Sequence, residues 1–288
     1  MLRVAFKQGV SYHYHYHLTL NGSTSVGQSS DQRVKLDSSS DVTWRVSSVD
    51  AVGNTTFDLT LDNIKTTVTI SMLPGSSTTS TTTSGSQHVT MKVAPNGEIV
   101  SGAGAPGAAA ALAPFPGTSA PGADQFLAVL PDHSVKPGDT WTKPVTLPGP
   151  QGQPGISFTT DNRFLRYDNL KTGQAAVVET RAMVPIDTTD DLGQIPQGPG
   201  VIPGPPPQPQ PGVKIHSQGT LSIDSTTWFD SRSHIVEKTR SVDRSDVTTT
   251  ISGASPPSPP GGALVAPPAF TGPMHVKSAR TLQLDLLS

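Results

Sequence analysis

"SYHYHYHLTL", residues 11–20, alternates an apolar or aromatic side chain with a polar one at nearly every step. Successive side chains of a β-strand point to opposite faces. Tyr12, Tyr14, Tyr16, Leu18 and Leu20 therefore share one face, and His13, His15 and His17 share the other. On a helix the same residues would be scattered around the circumference. The stretch reads as a half-buried antiparallel strand, oily on one side and wet on the other.

The period of two recurs along the chain. Leu2, Val4 and Phe6 alternate, as do Val42, Trp44 and Val46, then Phe57, Leu59 and Leu61, then Val68, Ile70 and Met72. Val89, Met91 and Val93 follow, then Leu221 and Ile223, then Val247, Thr249 and Ile251, and finally Leu282, Leu284 and Leu286. Asn21-Gly22 and Asn96-Gly97 are hairpin dipeptides. One short helix is predicted at "ADQFLAVL", residues 123–130, stopped by Pro131. The 28 prolines and 27 glycines are helix breakers, so longer helical layers are excluded. The predicted class is all-β and antiparallel.

Four stretches of other composition separate the strands. Residues 75–86, "GSSTTSTTTSGS", have no apolar side chain to bury and read as a loop. Residues 102–123 are rich in Ala, Gly and Pro around Leu112 and Phe115, while 195–212 and 253–273 are proline tethers of polyproline II type.

Short phrases also repeat in order. "FKQGVSY" (6–12) matches "VKPGDTW" (135–141): apolar, Lys, any, Gly, any, Ser or Thr, aromatic. "VDAVGNTTFDLTL" (49–61) resembles "YDNLKTGQAAVVETRAMV" (167–184), and "VTMKVAPNGEIVSG" (89–102) resembles "LSIDSTTWFDSRSHIVEK" (221–238). Three matches in the same order predict two related halves. The organisation expected is a single domain over 1–288. It comprises an N-terminal β half (1–101), a linker with the short helix (102–134) and a C-terminal β half (135–252) carrying the proline-rich insert 195–212. A tether (253–274) and a terminal strand (275–288) complete it. Neither half can close its apolar face alone, so the fold expected is a curved sheet or incomplete barrel.

Composition limits the functions. A formal charge of −2, with no basic block, leaves no electrostatic footprint for nucleic acid. The absence of cysteine excludes disulfides, thiol catalysis and thiolate metal sites on this chain. No apolar run reaches the ~20 residues of a transmembrane helix. Met1-Leu2-Arg3-Val4 runs straight into strand-like sequence, so an export signal is expected to lie upstream. The Ser/Thr/Pro tracts point to a secreted or cell-surface, extracytoplasmic location.

The candidates for chemistry are few. His13, His15 and His17 lie about 7 Å apart per step on one strand face. Two histidines so spaced can chelate a metal ion, but a site needs further ligands, which His88 alone would have to begin to supply. The reading adopted is a hydrated strand face, with the three histidines as weak metal candidates. Asp132, His133, Ser134 and Asp139 read as a turn, since a triad is assembled in space and no Gly-x-Ser-x-Gly elbow exists. Asp187, Asp190 and Asp191 read as a loop without the spacing of a calcium hand. No phosphate loop, His-Glu-x-x-His or dinucleotide fingerprint is present. The expectation is no enzyme, no catalytic residue and no cofactor.

"LPDHSVKPGDTW" followed by "GTLSIDSTTWFDSRSHIVEKTRS" resembles a family of uncharacterised bacterial exported proteins, often lipid-anchored, with a Val-Lys-Pro-Gly-Asp-Thr-Trp-like lead-in to a strand. The second phrase is also similar to the half-barrels of periplasmic lipoprotein carriers, whose curved open sheets hold acyl chains. The lipid-attachment cysteine of the first family is absent from this sequence. The resemblance implies an exported all-β protein and, through the second likeness, a lipid-like ligand. On that basis Tyr12, Tyr14, Tyr16, Trp44, Phe57, Trp141 and Trp228 are the expected ligand-facing apolar residues. The alternative reading is a self-assembling surface or filament subunit that uses exposed strand edges, in which a terminal segment such as 280–288, beyond the flexible tether, completes a neighbour's sheet.

Overall fold

A computed structural model describes residue 2 and residues 5–26, 32–73, 76–104, 130–147, 156–170, 173–191, 214–230, 232–252 and 273–287. The described residues form strands without a helix. In chain order these are β1 (Ser11–Val26), β2 (Gln32–Val49), β3 (Thr55–Leu73), β4 (Ser76–Ser84), β5 (Gln87–Val93) and β6 (Ile99–Gly104). They continue with β7 (Thr140–Leu147), β8 (Ile156–Leu170), β9 (Gly173–Asp191), β10 (Lys214–Asp230), β11 (Ile235–Ser252) and β12 (Met274–Leu286). The predicted helix at 123–130 lies, but for Leu130, outside the described residues, as do the proline tethers.

All the strands join one antiparallel sheet in the order β6-β5-β3-β2-β1-β12-β11-β10-β9-β8-β7, with β4 paired to β3 beside β5. Two meanders therefore meet at the pairing of β1 with β12, and the C-terminal strand sits mid-sheet between β1 and β11.

The sheet curls. Eleven strands laid flat would span about 50 Å, and a single layer has nothing to bury its face against. Yet one buried cluster includes Met91 and Val93 near one edge, Trp141 at the other, and Tyr14, Trp44, Leu282 and Leu284 between them. Leu130, in the segment leading to β7, donates its N–H to the Asn96 carbonyl in the β5–β6 turn at 2.7 Å. The two edges of the sheet are thus brought close. The expected curved sheet or incomplete barrel is what is found, with β6 and β7 as its edges.

One end of the curl is sealed. Leu2 and Phe6 are buried, and Phe6 packs edge-on against Phe57 with centroids 4.6 Å apart. Trp44 stands between Tyr14 and Phe57 at 5.1 and 5.4 Å. The Tyr14 hydroxyl reaches past the end of β12 to donate to the Val236 carbonyl at 2.9 Å. Burial pushes the Tyr14 phenol far above its ordinary value. Each such ring contributes roughly 1.5–3 kcal/mol by leaving water.

The same constructions occur twice. Gly9 and Gly138 both take a left-handed φ, +80° and +97°, which glycine adopts without a Cβ clash. Gly9 donates to the Val46 carbonyl and Val46 to that of Val10; Gly138 donates to the Phe164 carbonyl and Phe164 to that of Asp139. A β-bulge follows Val46 in the β2–β3 pairing and Phe164 in the β8–β9 pairing. Another separates Lys92 from Val93 in β5–β6, and Trp228 from Phe229 in β10–β11. Ala5 bonds to the His234 carbonyl in the β10–β11 turn, as Leu130 bonds to the β5–β6 turn. Each lead-in segment therefore docks on a hairpin turn of the other meander.

Three local expectations need correction. Asn21-Gly22 is no turn, because β1 runs on through it to Val26. The Ser/Thr run at 76–84 is no loop. It pairs as β4 with the part of β3 that extends beyond β5, held by Thr67–Thr81 and Thr69–Thr79 hydroxyl contacts at 3.1 Å, and it stays exposed throughout. Asp187 is likewise within β9 rather than a loop.

Candidate ligand-binding face

Residues directly paired across antiparallel strands share a face, so the register reads out the inner surface row by row. The row nearest the sealed floor runs Ser38, Leu18, Leu282, Ser241, Ser225, Thr180, Asn162 and Trp141. The next runs Val68, Leu36, Leu20, Arg280, Asp243, Ile223, Ala182 and Thr160, ending at Lys143. Beyond it come Ile70, Val34, Gly22, Ser278, Ser245, Leu221 and Val184.

The polar side chains of these rows, from Ser38 and Asn162 through Asp243 and Arg280 to Ser245 and Ser278, make a polar belt. Arg280 Nε donates to Asp243 Oδ2 at 2.9 Å, and its Nη2 donates to the same oxygen. The Ser241 hydroxyl donates to the other oxygen, Oδ1, at 2.7 Å. Asp243 is 2% exposed and the Arg280 side chain 13%, so the pair is held in a largely dry place where an unpaired charge would be costly. Hydroxyls bridge strands on either side: Ser38 to Thr66 at 3.0 Å, Ser245 to Ser278 at 2.7 Å, and Thr180 to Asn162 Oδ1 at 2.8 Å. Tyr16 lies just below. Its phenol is pushed up by burial, against the pull of Arg280 and with the push of Asp243.

Above the belt the face is apolar and half open. Val34, Ile70, Leu221 and Val247 above the belt, and Val68 and Ile223 level with it, are half-buried, while Val184 and Val276 there are buried and the rings at the sealed end are fully covered. The inner surface thus has an aromatic floor, a polar belt and an apolar mouth. The register carries the strands about 20 Å beyond Arg280, six residues at ~3.3 Å each, to Met274.

Most residues expected to face a ligand belong to the floor. Tyr14, Tyr16, Trp44, Phe57 and Trp141 are buried core, and Tyr12 packs partly buried against it. Trp228 lies on the opposite side: β10 alternates without interruption through inward Leu221, Ile223, Ser225, Thr227 and Phe229, and the Trp228 ring sits beneath the Lys238 ammonium, 5.5 Å from the centroid. Its indole N–H donates to Asp168 Oδ2. Sequence reading missed Arg280 and Asp243. The available signal was a charge in phase with apolar neighbours, Arg280 with Val276, Leu282 and Leu284.

The histidine trio lies on the outer face. His13 Nδ1 meets Thr43 Oγ1 at 3.1 Å, His15 meets Asp41 at 3.2 Å and His17 meets Asp37 at 3.4 Å, all across the β1–β2 pairing. Asn63 and then His15 hold the Asp41 carboxyl below its ordinary value. His88 contacts Thr60, and His216 lies 3.8 Å from Asp187. Among the described residues no three His, Cys, Asp or Glu converge as a metal site. Asp139 accepts the Lys136 N–H within its turn at 2.9 Å, and Asp132 pairs with Lys143. Neither joins His133 or Ser134 in a described hydrogen bond. The outer face also has an open depression of ≈ 580 Å³ that includes Arg33, Met183, Arg244 and Lys277. Arg244 and Lys277 are paired there with Asp224 and Asp246. No helix among the described residues is long and apolar enough to cross a membrane.

No family model matches this chain, and no curated protein matches it. Among solved structures it is similar to lipovitellin, described for its lipid–protein interactions, at 10% identity and a TM-score of 0.48. That match covers 98% of this chain and 25% of the other, so the chain spans a quarter of the lipovitellin chain. It is also similar to an outer membrane channel from Pseudomonas putida F1, at 7% identity and a TM-score of 0.29, covering 99% of this chain and 97% of that one.

Proposed function

We propose that this chain is a non-catalytic, extracytoplasmic binding module that takes a hydrophobic, lipid-like ligand on the inner face of its curled sheet. One observation carries the reading. The inner face is sealed by aromatic packing at one end, while Val34, Ile70, Leu221 and Val247 toward the other end, and Val68 and Ile223 level with the belt, are left half-exposed. Apolar side chains lining a concavity with a few placed polar groups are the usual make-up of a small-molecule site. The extracytoplasmic part of the proposal is supported by the Ser/Thr/Pro-rich composition and by the resemblance to exported proteins. The module itself we read as two copies of one β unit, supported by the recurring glycine turns, bulges and exchanged lead-in contacts.

Self-assembly by strand addition has less support. Residues 280–286 already pair within the chain's own sheet. Edge strand β7 carries Pro144 and places Lys143 on the inner face, two devices that discourage further pairing.

The test is organic extraction of natively purified protein followed by mass spectrometry. Recovery of a stoichiometric lipid-like molecule is expected. Repeated recovery of none, together with no uptake of added lipid, overturns the proposal.

A further inference from the structure

If the inner face binds a lipid-like ligand as proposed, the belt at Asp243 and Arg280 narrows the class of that ligand. We infer that it is an uncharged amphiphile, a hydrocarbon body ending in a hydroxyl or ester, and that Asp243 is the residue that rejects carboxylates. A ligand lying along the mouth has apolar rows for its body and meets the belt at its polar end. The belt's hydroxyls pair across strands, Ser38 with Thr66 and Ser245 with Ser278, and each pair keeps one donor and spare lone pairs. Uncharged oxygen groups suit such partners.

A carboxylate is a poor fit there. Among the described residues the cations of these rows are Arg280 and, at the β7 edge, Lys143, which is paired with Asp132; the Nε and Nη2 of Arg280 are both committed to one oxygen of Asp243. The other Asp243 oxygen is taken by Ser241. An incoming carboxylate would approach Arg280 alongside a fixed anion that is itself almost wholly buried, where like charges repel strongly. Without Asp243, the same guanidinium would present its forked donors to a carboxylate. Selectivity thus arises from a pair closed within the protein.

The experiment measures displacement of a bound apolar fluorophore at neutral pH by palmitic acid and by its glycerol monoester. The ester is expected to act at least about tenfold more strongly than the acid on the unaltered protein. Asp243→Asn narrows or reverses that ratio, and adding Arg280→Gln to it restores the preference for the ester. Lowering the pH strengthens displacement by the acid, as its carboxyl is neutralised, and leaves the ester unchanged. This last arm needs no variant and stands even where Asp243→Asn fails to fold. Equal or tighter binding of the acid at neutral pH, or a ratio unmoved by a folded Asp243→Asn, overturns the inference while leaving the binding reading intact. No binding of fluorophore, acid or ester overturns both.

Discussion

The Trp228 indole nitrogen donates a hydrogen bond to Asp168 Oδ2 at 2.9 Å, joining the far end of β10 to that of β8. Asp50 stands four residues after Val46, as Asp168 stands four after Phe164, and there it holds the Lys92 ammonium at 2.9 Å. Lys92 precedes its bulge as Trp228 precedes the other. Two chemically different donors therefore clamp one carboxylate position in the two meanders.

These clamps make acid stability predictable. Lys92, and then Asn54, bring the Asp50 carboxyl from an ordinary 3.8 to about 2. Trp228, and then Arg166, lower that of Asp168. A carboxyl lowered in the folded state stabilises fully above its unfolded pKa, and that contribution is lost as pH falls through the folded value. Between pH 3.8 and about 2 the urea midpoint should fall, and Asp50→Asn with Asp168→Asn should flatten that fall. An unchanged acid limb in the double variant would refute the clamp.

The aromatic floor should dominate stability. Phe57→Ala removes a fully buried ring from the contacts of Phe6 and Trp44 and should cost about 3–5 kcal/mol in denaturant unfolding. Tyr14→Phe removes one hydrogen bond, leaves the Val236 carbonyl without it and should cost about 1–3 kcal/mol.

Gly219 marks a close approach of strands. A Cβ there would lie 2.1 Å from the Asp246 carbonyl oxygen and 2.7 Å from Val247 Cα, both backbone atoms. Gly219→Ala should lower the melting temperature markedly. Gly85→Ala, with nothing within 4 Å, should leave it nearly unchanged. Equal melting of the two would show that β10 and β11 are not pressed together.

The blunted edge should keep the chain from pairing with itself. Replacing Lys143 and Pro144 together by valine gives β7 a continuous donor row without an inward charge. Light scattering after size exclusion should then show concentration-dependent association beyond that of the unaltered chain. No change would mean that β7 is protected in some other way.

How far the sequence foretold this architecture depends on what each element rests upon. β1 was legible because Tyr and His alternate without a break, and the two glycine turns were legible because their lead-in phrases match. The end of β1 was not, since pairing with β12 through Val26 overrides the hairpin preference of Asn21-Gly22. β4 could not be foreseen from a run without apolar residues, because its partner is the overhanging part of β3. Trp228 points outward by the same alternation that sets Leu221 and Ile223 inward, so its expected place on the ligand face follows its aromatic character and not its phase. The Asp243–Arg280 pair joins residues 37 apart, and only the pairing of β11 with β12 brings them together.

The most direct test of the account is a titration of an apolar fluorophore into the unaltered protein and into Leu221→Glu, which places a charge in the half-open mouth. Saturable binding with a blue-shifted emission is predicted for the first, and loss of most of that binding for the second, with its strand content intact by circular dichroism. Binding that is absent from the unaltered protein, or equally strong in a folded Leu221→Glu, would contradict a ligand held on the inner face.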